Sequence, residues 1–158
     1  MAYAQFEQLK SEIVANAGFV TREIANEGET DEPAALSMEV DDVPVMLAAI
    51  ADEQEGHAML CADFGEIPPE RETEVMRAVL DTNLPLYRDM GATMCTNPLT
   101  GHLLALKRIA LAEATLEGVV EMARQFASGV HRFNRDQFGA GEPVASSGRE
   151  TLAAMGRV

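Results

Sequence analysis

Histidine and cysteine are the residues of this chain of 158 residues that most readily act as catalysts or metal ligands. The three histidines, His57, His102 and His131, are scattered, and no HExxH or Cys-x-x-Cys motif accompanies them. Because a zinc site draws three or four such ligands together, we expect surface or strand-end histidines rather than ligands. Cys61 and Cys95 lie in apolar, strand-like runs, so we expect buried, reduced thiols.

Two acidic groups also resemble chemical sites. Asp41 and Asp42 could form an acid–base or metal-binding pair, but aspartate is common in turns because its side chain bonds the local backbone. The acidic run at 52–55 lacks the spacing and the glycine of a calcium loop. No GxxxxGK[ST], GxGxxG or GxSxG motif is present. We therefore predict no enzymatic activity, no cofactor and no metal; an enzyme using Asp41, Asp42 or His57 stays open as an alternative.

The spacing of apolar residues predicts the elements that would position any site. Three helices are predicted, at residues 4–19, 66–90 and 112–138. Five strands are predicted, at residues 35–40, 43–50, 57–65, 91–96 and 102–111. Pro85 is expected to kink or end the second helix, because proline cannot donate a helical hydrogen bond. The third strand is almost continuously apolar and is expected to be central.

These elements predict an α+β fold. Strands joined by short turns must be antiparallel, since a parallel return needs a crossover of about a dozen residues. Asp41 and Asp42 separate the first two strands and predict a hairpin there. We expect a twisted, mostly antiparallel five-stranded sheet with three helices. Residues 1–138 are expected to form a single domain, and the Gly/Ser-rich residues 139–158 a flexible tail.

Charge and hydropathy exclude several classes of partner. The net charge of −14 lies in residues 1–80, which hold 18 acidic and 4 basic residues, whereas 81–158 are balanced. Such an acidic surface repels phosphate backbones, so nucleic acid is a poor partner. No apolar run reaches the ~18–20 residues of a membrane span, and the first residues do not resemble a secretory signal; we expect a cytoplasmic protein. The nine methionines suit an adaptable binding surface as well as a core.

Three ordered stretches resemble the type III secretion effector chaperones of the Tir-chaperone family (class I). "EVDDVPVMLAA" is similar to the family's acidic hairpin. "VMRAVLDTNLPLYRDMGATMCTNPLTGHLLALKRIAL", which includes Asn83 and Leu84, is similar to its central signature. "LAEATLEGVVEMARQFASGVHRF" is similar to its closing helix, so the resemblance covers residues 4–135. The loop at 26–33 and the residues after 138 depart from the family's pattern.

The resemblance implies a homodimer without enzymatic activity that binds the N-terminal segment of an effector protein. It implies that the effector is kept soluble and extended for secretion in the bacterial cytoplasm. The implied partners are the effector, a second copy of the chain and, as an open alternative, components of the secretion apparatus. A non-enzymatic regulatory domain of the same fold, with no secretion client, is the alternative interpretation.

Two sets of residues are candidates for these contacts. An effector client would lie over the first helix and the first strands, with Met38 facing outward, and would contact Phe6, Leu9, Ile13, Leu36, Met38, Val45 and Leu47. A two-fold interface would use Val75, Val79, Leu84, Leu104 and Leu106. Side chains alternate along a strand, so some of them must point inward. Each residue of both sets could therefore be a core residue instead of a contact residue.

Overall fold

The computed structural model describes residues 2–24, 35–50 and 56–139. The elements in chain order are α1 (Ala2–Asn16), β1 (Val20–Ile24), β2 (Ala35–Val40), β3 (Val43–Ile50), β4 (His57–Glu66), α2 (Glu72–Met90), β5 (Thr93–Thr96), β6 (His102–Ala110) and α3 (Leu116–Phe138). A 3₁₀ turn at Pro69–Arg71 leads into α2. The predicted α+β class with three helices and an antiparallel sheet is confirmed, but the sheet has six strands, not five.

The strands are ordered β1-β2-β3-β4-β6-β5, and every neighbouring pair is antiparallel. β4 is central, as predicted, because it lies between β3 and β6. The predicted β2–β3 hairpin is also confirmed. Its turn places Asp41 at φ 49° and Asp42 at φ 63°, as a type I′ turn requires. Aspartate tolerates this left-handed backbone better than most residues because its short side chain bonds locally.

β1 is the strand that the sequence prediction missed. Its five residues include the charged Arg22 and Glu23, so their apolar pattern is weak. The segment becomes a strand because it pairs with β2 along its whole length, from Val20 opposite Glu39 to Ile24 opposite Ala35. Pairing with a neighbour that is distant in sequence overrides weak local preference.

The helices also depart from their predicted bounds: α1 is Ala2–Asn16, and α2 begins at Glu72 because β4 extends to Glu66. α2 continues through Pro85 to its predicted end at Met90, so Pro85 does not end the helix. Pro85 and Asp81 are both exposed, and solvent can therefore hydrate the Asp81 carbonyl that the proline leaves without an N–H donor. α3 begins at Leu116 rather than at residue 112, because the Thr115 side chain accepts a hydrogen bond from Gly118 N at 3.1 Å.

All three helices pack on one face of the sheet, called here the helix face. One core cluster joins Phe6 of α1, Val75 of α2 and Phe126 of α3 to strand residues such as Leu60 and Leu103. Burying each such side chain stabilises the fold by about 1.5–3 kcal/mol. The other side of the sheet, the open face, has a smaller cluster made only of strand residues: Ala35, Met46, Ala48, Cys61 and Leu104. In the described part of the chain, no helix is long and apolar enough to cross a membrane.

Candidate protein-binding surfaces

The seven residues predicted to contact a client are all buried in the helix-face cluster: Phe6, Leu9, Ile13, Leu36, Met38, Val45 and Leu47. α1 shares this cluster with β2 and β3, and α3 also packs on both strands. The expectation that Met38 faces outward is wrong, because only 2% of it is exposed. Contact between these side chains and a client stays a prediction, and it would require the helices that cover them to move away from the sheet.

The five residues predicted at a two-fold interface do not form one surface. Val75 and Val79 belong to the helix-face cluster. Leu104 is buried on the open face, with Leu106 half-buried beside it. Leu84 alone of the set is exposed, on the outer side of α2. Three of the five, Val75, Val79 and Leu104, are therefore buried in the protomer, which is the alternative that the sequence left open.

Leu84 is part of an exposed apolar row on α2, called here the α2 stripe. Leu80, Leu84 and Tyr87 are 72%, 75% and 66% exposed. Their spacing of four and three residues places them on one side of the helix. Large apolar side chains grouped on a surface mark interaction sites. Sequence reasoning missed Leu80 and Tyr87, although their spacing to Leu84 was a usable signal.

The two edges of the sheet differ in the hydrogen-bond partners of their backbone groups. On the β5 edge, Met94 N donates to Asn83 Oδ1 at 2.6 Å, and Asn83 Nδ2 donates to Met94 O at 3.1 Å. The Asn83 side chain therefore already bonds the N–H and C=O groups of Met94 that an added strand would need. On the opposite edge, β1 pairs with β2 alone among the described strands. Among the described strands, β1 is therefore the edge strand whose outer side has no strand partner.

Electrostatic contacts hold this β1 edge against α1. Lys10 Nζ lies 3.6 Å from Glu23 Oε1 of β1 and 2.8 Å from Glu7 Oε2 of its own helix. These two carboxylates outweigh the effect of burial and raise the pKa of Lys10, although burial is the largest single influence and acts to lower it. Val20, at the start of β1, is 74% exposed. The edge thus combines an apolar side chain with charges that are already paired.

Two of the buried polar residues, Asp63 and His102, contact each other. His102 begins β6 and is buried, with Nδ1 3.1 Å from Asp63 Oδ2. Asp63 Oδ1 also accepts a hydrogen bond from Gly65 N at 2.7 Å, at the bulge where the β4–β6 register shifts. The exposed His131 lies with Nε2 2.7 Å from Asp41 O. Among the residues that the structure describes, no three His, Cys, Asp or Glu side chains could hold a metal ion.

A pocket of about 250 Å³ lies between α2, α3 and the end of the sheet, and we call it the α2–α3 pocket. Apolar side chains form its floor: Phe64, Leu86, Met90, Met94, Phe126 and Phe133. The rings of Phe64 and Phe133 meet edge to face at 5.4 Å and 89°. This geometry is favourable for aromatic pairs and fixes one side of the floor.

Polar side chains of both helices surround the opening of the α2–α3 pocket: Thr82, Gln125, Arg132, Asp136 and Gln137. Arg71 joins the start of α2 to the end of α3. Its Nη1 donates to Gln137 O, and its guanidinium lies 5.4 Å from the centre of the Phe138 ring. The pocket thus has an apolar floor and a polar rim, the arrangement typical of sites that recognise an apolar group.

The comparisons with known proteins agree with the resemblance of the sequence motifs. The model of the Tir chaperone protein (CesT) family matches residues 27–133, which is more than half of the 158 residues. No curated protein matches the chain. An uncharacterised protein from Methanothermobacter thermautotrophicus shares the fold alone, with a TM-score of 0.56 at 10% identity over 88% of this chain and 100% of that chain. The family match therefore decides the assignment, and the chain belongs to the Tir chaperone protein (CesT) family.

Proposed function

We propose that the protein is a chaperone of type III secretion in the bacterial cytoplasm. It binds the N-terminal segment of an effector protein and keeps that segment soluble and extended for secretion. Membership of the Tir chaperone protein (CesT) family is the observation that carries this proposal. Residues 1–138 would be the chaperone domain. The described residues also suit it, since they offer exposed apolar side chains and an edge strand.

The client segment would extend the sheet at β1. An added strand gains affinity from backbone hydrogen bonds, and specificity from side-chain contacts on the two faces. The Asn83 amide excludes the β5 edge at Met94, so β1 is the favoured edge. The exposed Val20 would pair with an apolar side chain of the client. If the client also reaches the seven core residues, the helices that cover them must first move away from the sheet.

The proposed homodimer would form through the α2 stripe. A two-fold contact uses the same patch on both subunits, and a row of three large apolar side chains on a regular helix can pair with itself. Leu84 would be central, with Leu80 and Tyr87 on either side along α2. Val75 and Val79 would support the interface from beneath the helix, since both lie in the core.

Co-expression with the product of the neighbouring gene tests this function. The purified material would be treated with protease, and the protected fragments identified by mass spectrometry. We expect a stable complex of two chaperone chains and one client, in which a single N-terminal client segment is protected. A dimer that retains no client, or one that binds only a folded partner, would support the regulatory-domain alternative instead.

A matched pair of variants locates the client on the sheet. Val20→Asp puts a charge on the β1 edge, whereas Leu99→Asp puts one on an exposed turn beside the far edge of the sheet. We expect Val20→Asp to lower client retention and Leu99→Asp to leave it unchanged, with equal thermal stability. Equal retention by both variants would show that the client does not use the β1 edge.

A further inference from the structure

We propose that the α2–α3 pocket receives one large apolar side chain of the client polypeptide, such as leucine, methionine or phenylalanine. The inference rests on the proposed function and adds a second contact, away from the β1 edge. The client segment would cross the groove between α2 and α3, and its neighbouring peptide groups would bond to the rim.

The floor of the pocket suits an apolar group of variable shape. Met90 of α2 and Met94 of β5 line it together with the rings of Phe126 and Phe133. Methionine has an unbranched, polarisable side chain that adapts to different partners. Aromatic rings add a rigid wall with large contact area. A side chain anchored in such a desolvated pocket is the usual hot spot of a protein interface.

Gly129 keeps the pocket open. It lies in the interior of α3 and lines the pocket, although glycine is less favourable than alanine in a helix. A Cβ atom built at Gly129 would meet nothing within 4 Å, whereas one at Gly118 of the same helix would lie 3.0 Å from Thr115 Oγ1. Packing therefore does not require glycine at residue 129, and the space that its missing side chain leaves belongs to the pocket.

The rim favours a polypeptide over a small molecule. Gln125 and Gln137 carry carboxamide groups that can bond to a peptide group, and Gln125 Nε2 already donates one hydrogen bond to Glu121 Oε1 at 2.9 Å. Arg132 and Asp136 add one positive and one negative charge to the rim, so the rim suits an uncharged ligand. The pocket is partly open to solvent, and its volume of about 250 Å³ has room for one large apolar side chain. One side chain with its peptide groups matches both the size and the chemistry.

Methionine methyl groups report on the pocket without any client. The full chain, labelled with [methyl-¹³C]methionine, would be titrated with N-acetyl-leucine methylamide, and with N-acetyl-alanine methylamide as the control. We expect the leucine compound to shift the Met90 and Met94 signals, while Met46 on the open face stays unchanged. The alanine compound should bind at least about tenfold more weakly, because it buries less apolar surface.

Three results of this titration would overturn the inference. The first is no shift at Met90 and Met94. The second is tighter binding of decanoate than of the leucine compound, which would indicate a fatty ligand. The third is a shift of both signals with protein concentration alone in Leu80→Glu/Leu84→Glu, a variant designed to block the proposed α2 dimer. This shift would indicate a second copy of the chain in the pocket.

Two variants of α3 connect the pocket to the client. Gly129→Leu fills the pocket, whereas Ser128→Leu adds the same side chain at an exposed position outside the lining. In co-expression, we expect Gly129→Leu to weaken client binding at least about tenfold and Ser128→Leu to leave it unchanged. If both variants bind the client like the wild type, the pocket inference is wrong and the proposed function stands. If even the wild type binds no client, the proposed function fails, and the methyl titration alone decides whether the pocket binds an apolar side chain.

Discussion

At the scale of single residues, burial controls the chemistry of the two thiols. Burial is the main cause that raises the pKa of Cys61 above its ordinary value, with the charges of Asp63 and Cys95 acting in the same direction. Burial also raises the pKa of the half-buried Cys95. Because the thiolate is the reactive form, both cysteines are suited to packing rather than to catalysis.

We expect thiol labelling at pH 8 to separate the two cysteines. Cys95 should react slowly with Ellman's reagent in the native protein, and Cys61 only after unfolding. In Cys95→Ala, the native protein should then show no reactive thiol. Rapid reaction of both thiols in the native state would contradict the burial of these side chains.

The same pKa directions predict a loss of stability at alkaline pH. A thiol whose pKa is higher in the folded state holds its proton there while the unfolded chain releases it. The free energy of unfolding therefore falls as the pH rises above the unfolded pKa of about 8.5. Between pH 8 and pH 10, the free energy of unfolding measured in urea should fall more steeply for the wild type than for Cys61→Ala. Equal slopes for the two proteins would contradict this account of Cys61.

Met38 gives a second prediction at this scale. Met38→Asp would place a carboxylate in the helix-face cluster, where it has no water and no paired charge. We expect a loss of about 3 kcal/mol or more in the free energy of unfolding, measured by urea denaturation. Ser37→Asp, at the half-buried neighbouring position on the other face of β2, is the control and should cost much less. A fully stable Met38→Asp protein would mean that this residue faces outward after all.

At the scale of elements, α2 performs three separate tasks with two sides: the core and pocket residues share one side, and the exposed stripe lies on the other. Val75 and Val79 pack into the core, Leu86 and Met90 line the pocket, and Leu84 belongs to the exposed stripe. Two polar contacts fix the position of the helix: the Asn83 amide binds Met94, and Lys107 Nζ donates to Met90 O at 2.5 Å. The helix can therefore expose apolar residues without losing its place on the sheet.

Asn83→Ala should destabilise the protein and free the β5 edge. The variant removes two hydrogen bonds to a partly buried strand, and we expect a cost of about 1–3 kcal/mol in urea unfolding. Thr73→Ala, exposed at the start of the same helix, should change stability by much less. Wild-type stability in Asn83→Ala would show that the β5 backbone does not depend on this amide.

At the scale of the whole molecule, the α2 stripe is the proposed dimer interface. We expect the wild-type protein to be a dimer and the double variant Leu80→Glu/Leu84→Glu to be a folded monomer, because four carboxylates would face one another across a two-fold contact. Light scattering after gel filtration gives the mass, and circular dichroism checks the fold. Leu99→Glu, on an exposed turn, should remain dimeric. A double variant that is still dimeric would place the interface elsewhere.

The sequence by itself determined much of the fold of this protein. The apolar period of 3.6 predicted all three helices, and the Asp41-Asp42 pair between two alternating runs predicted the β2–β3 hairpin. The almost continuous apolar run of β4 predicted its central position. These features are local, because a period or a turn is written in consecutive residues. The ordered motifs also indicated the family, which the family match confirms.

Only the tertiary structure decided which surfaces remain free. It made a strand of Val20–Ile24, it carried α2 past Pro85, and it buried Phe6 and Met38 while leaving Leu80 exposed. A periodic pattern shows that an element has an apolar side, but it does not say whether that side meets the same chain, a second copy or a client. The partner of each side depends on contacts between residues that are distant in sequence, and those contacts form only when the helices pack on the sheet.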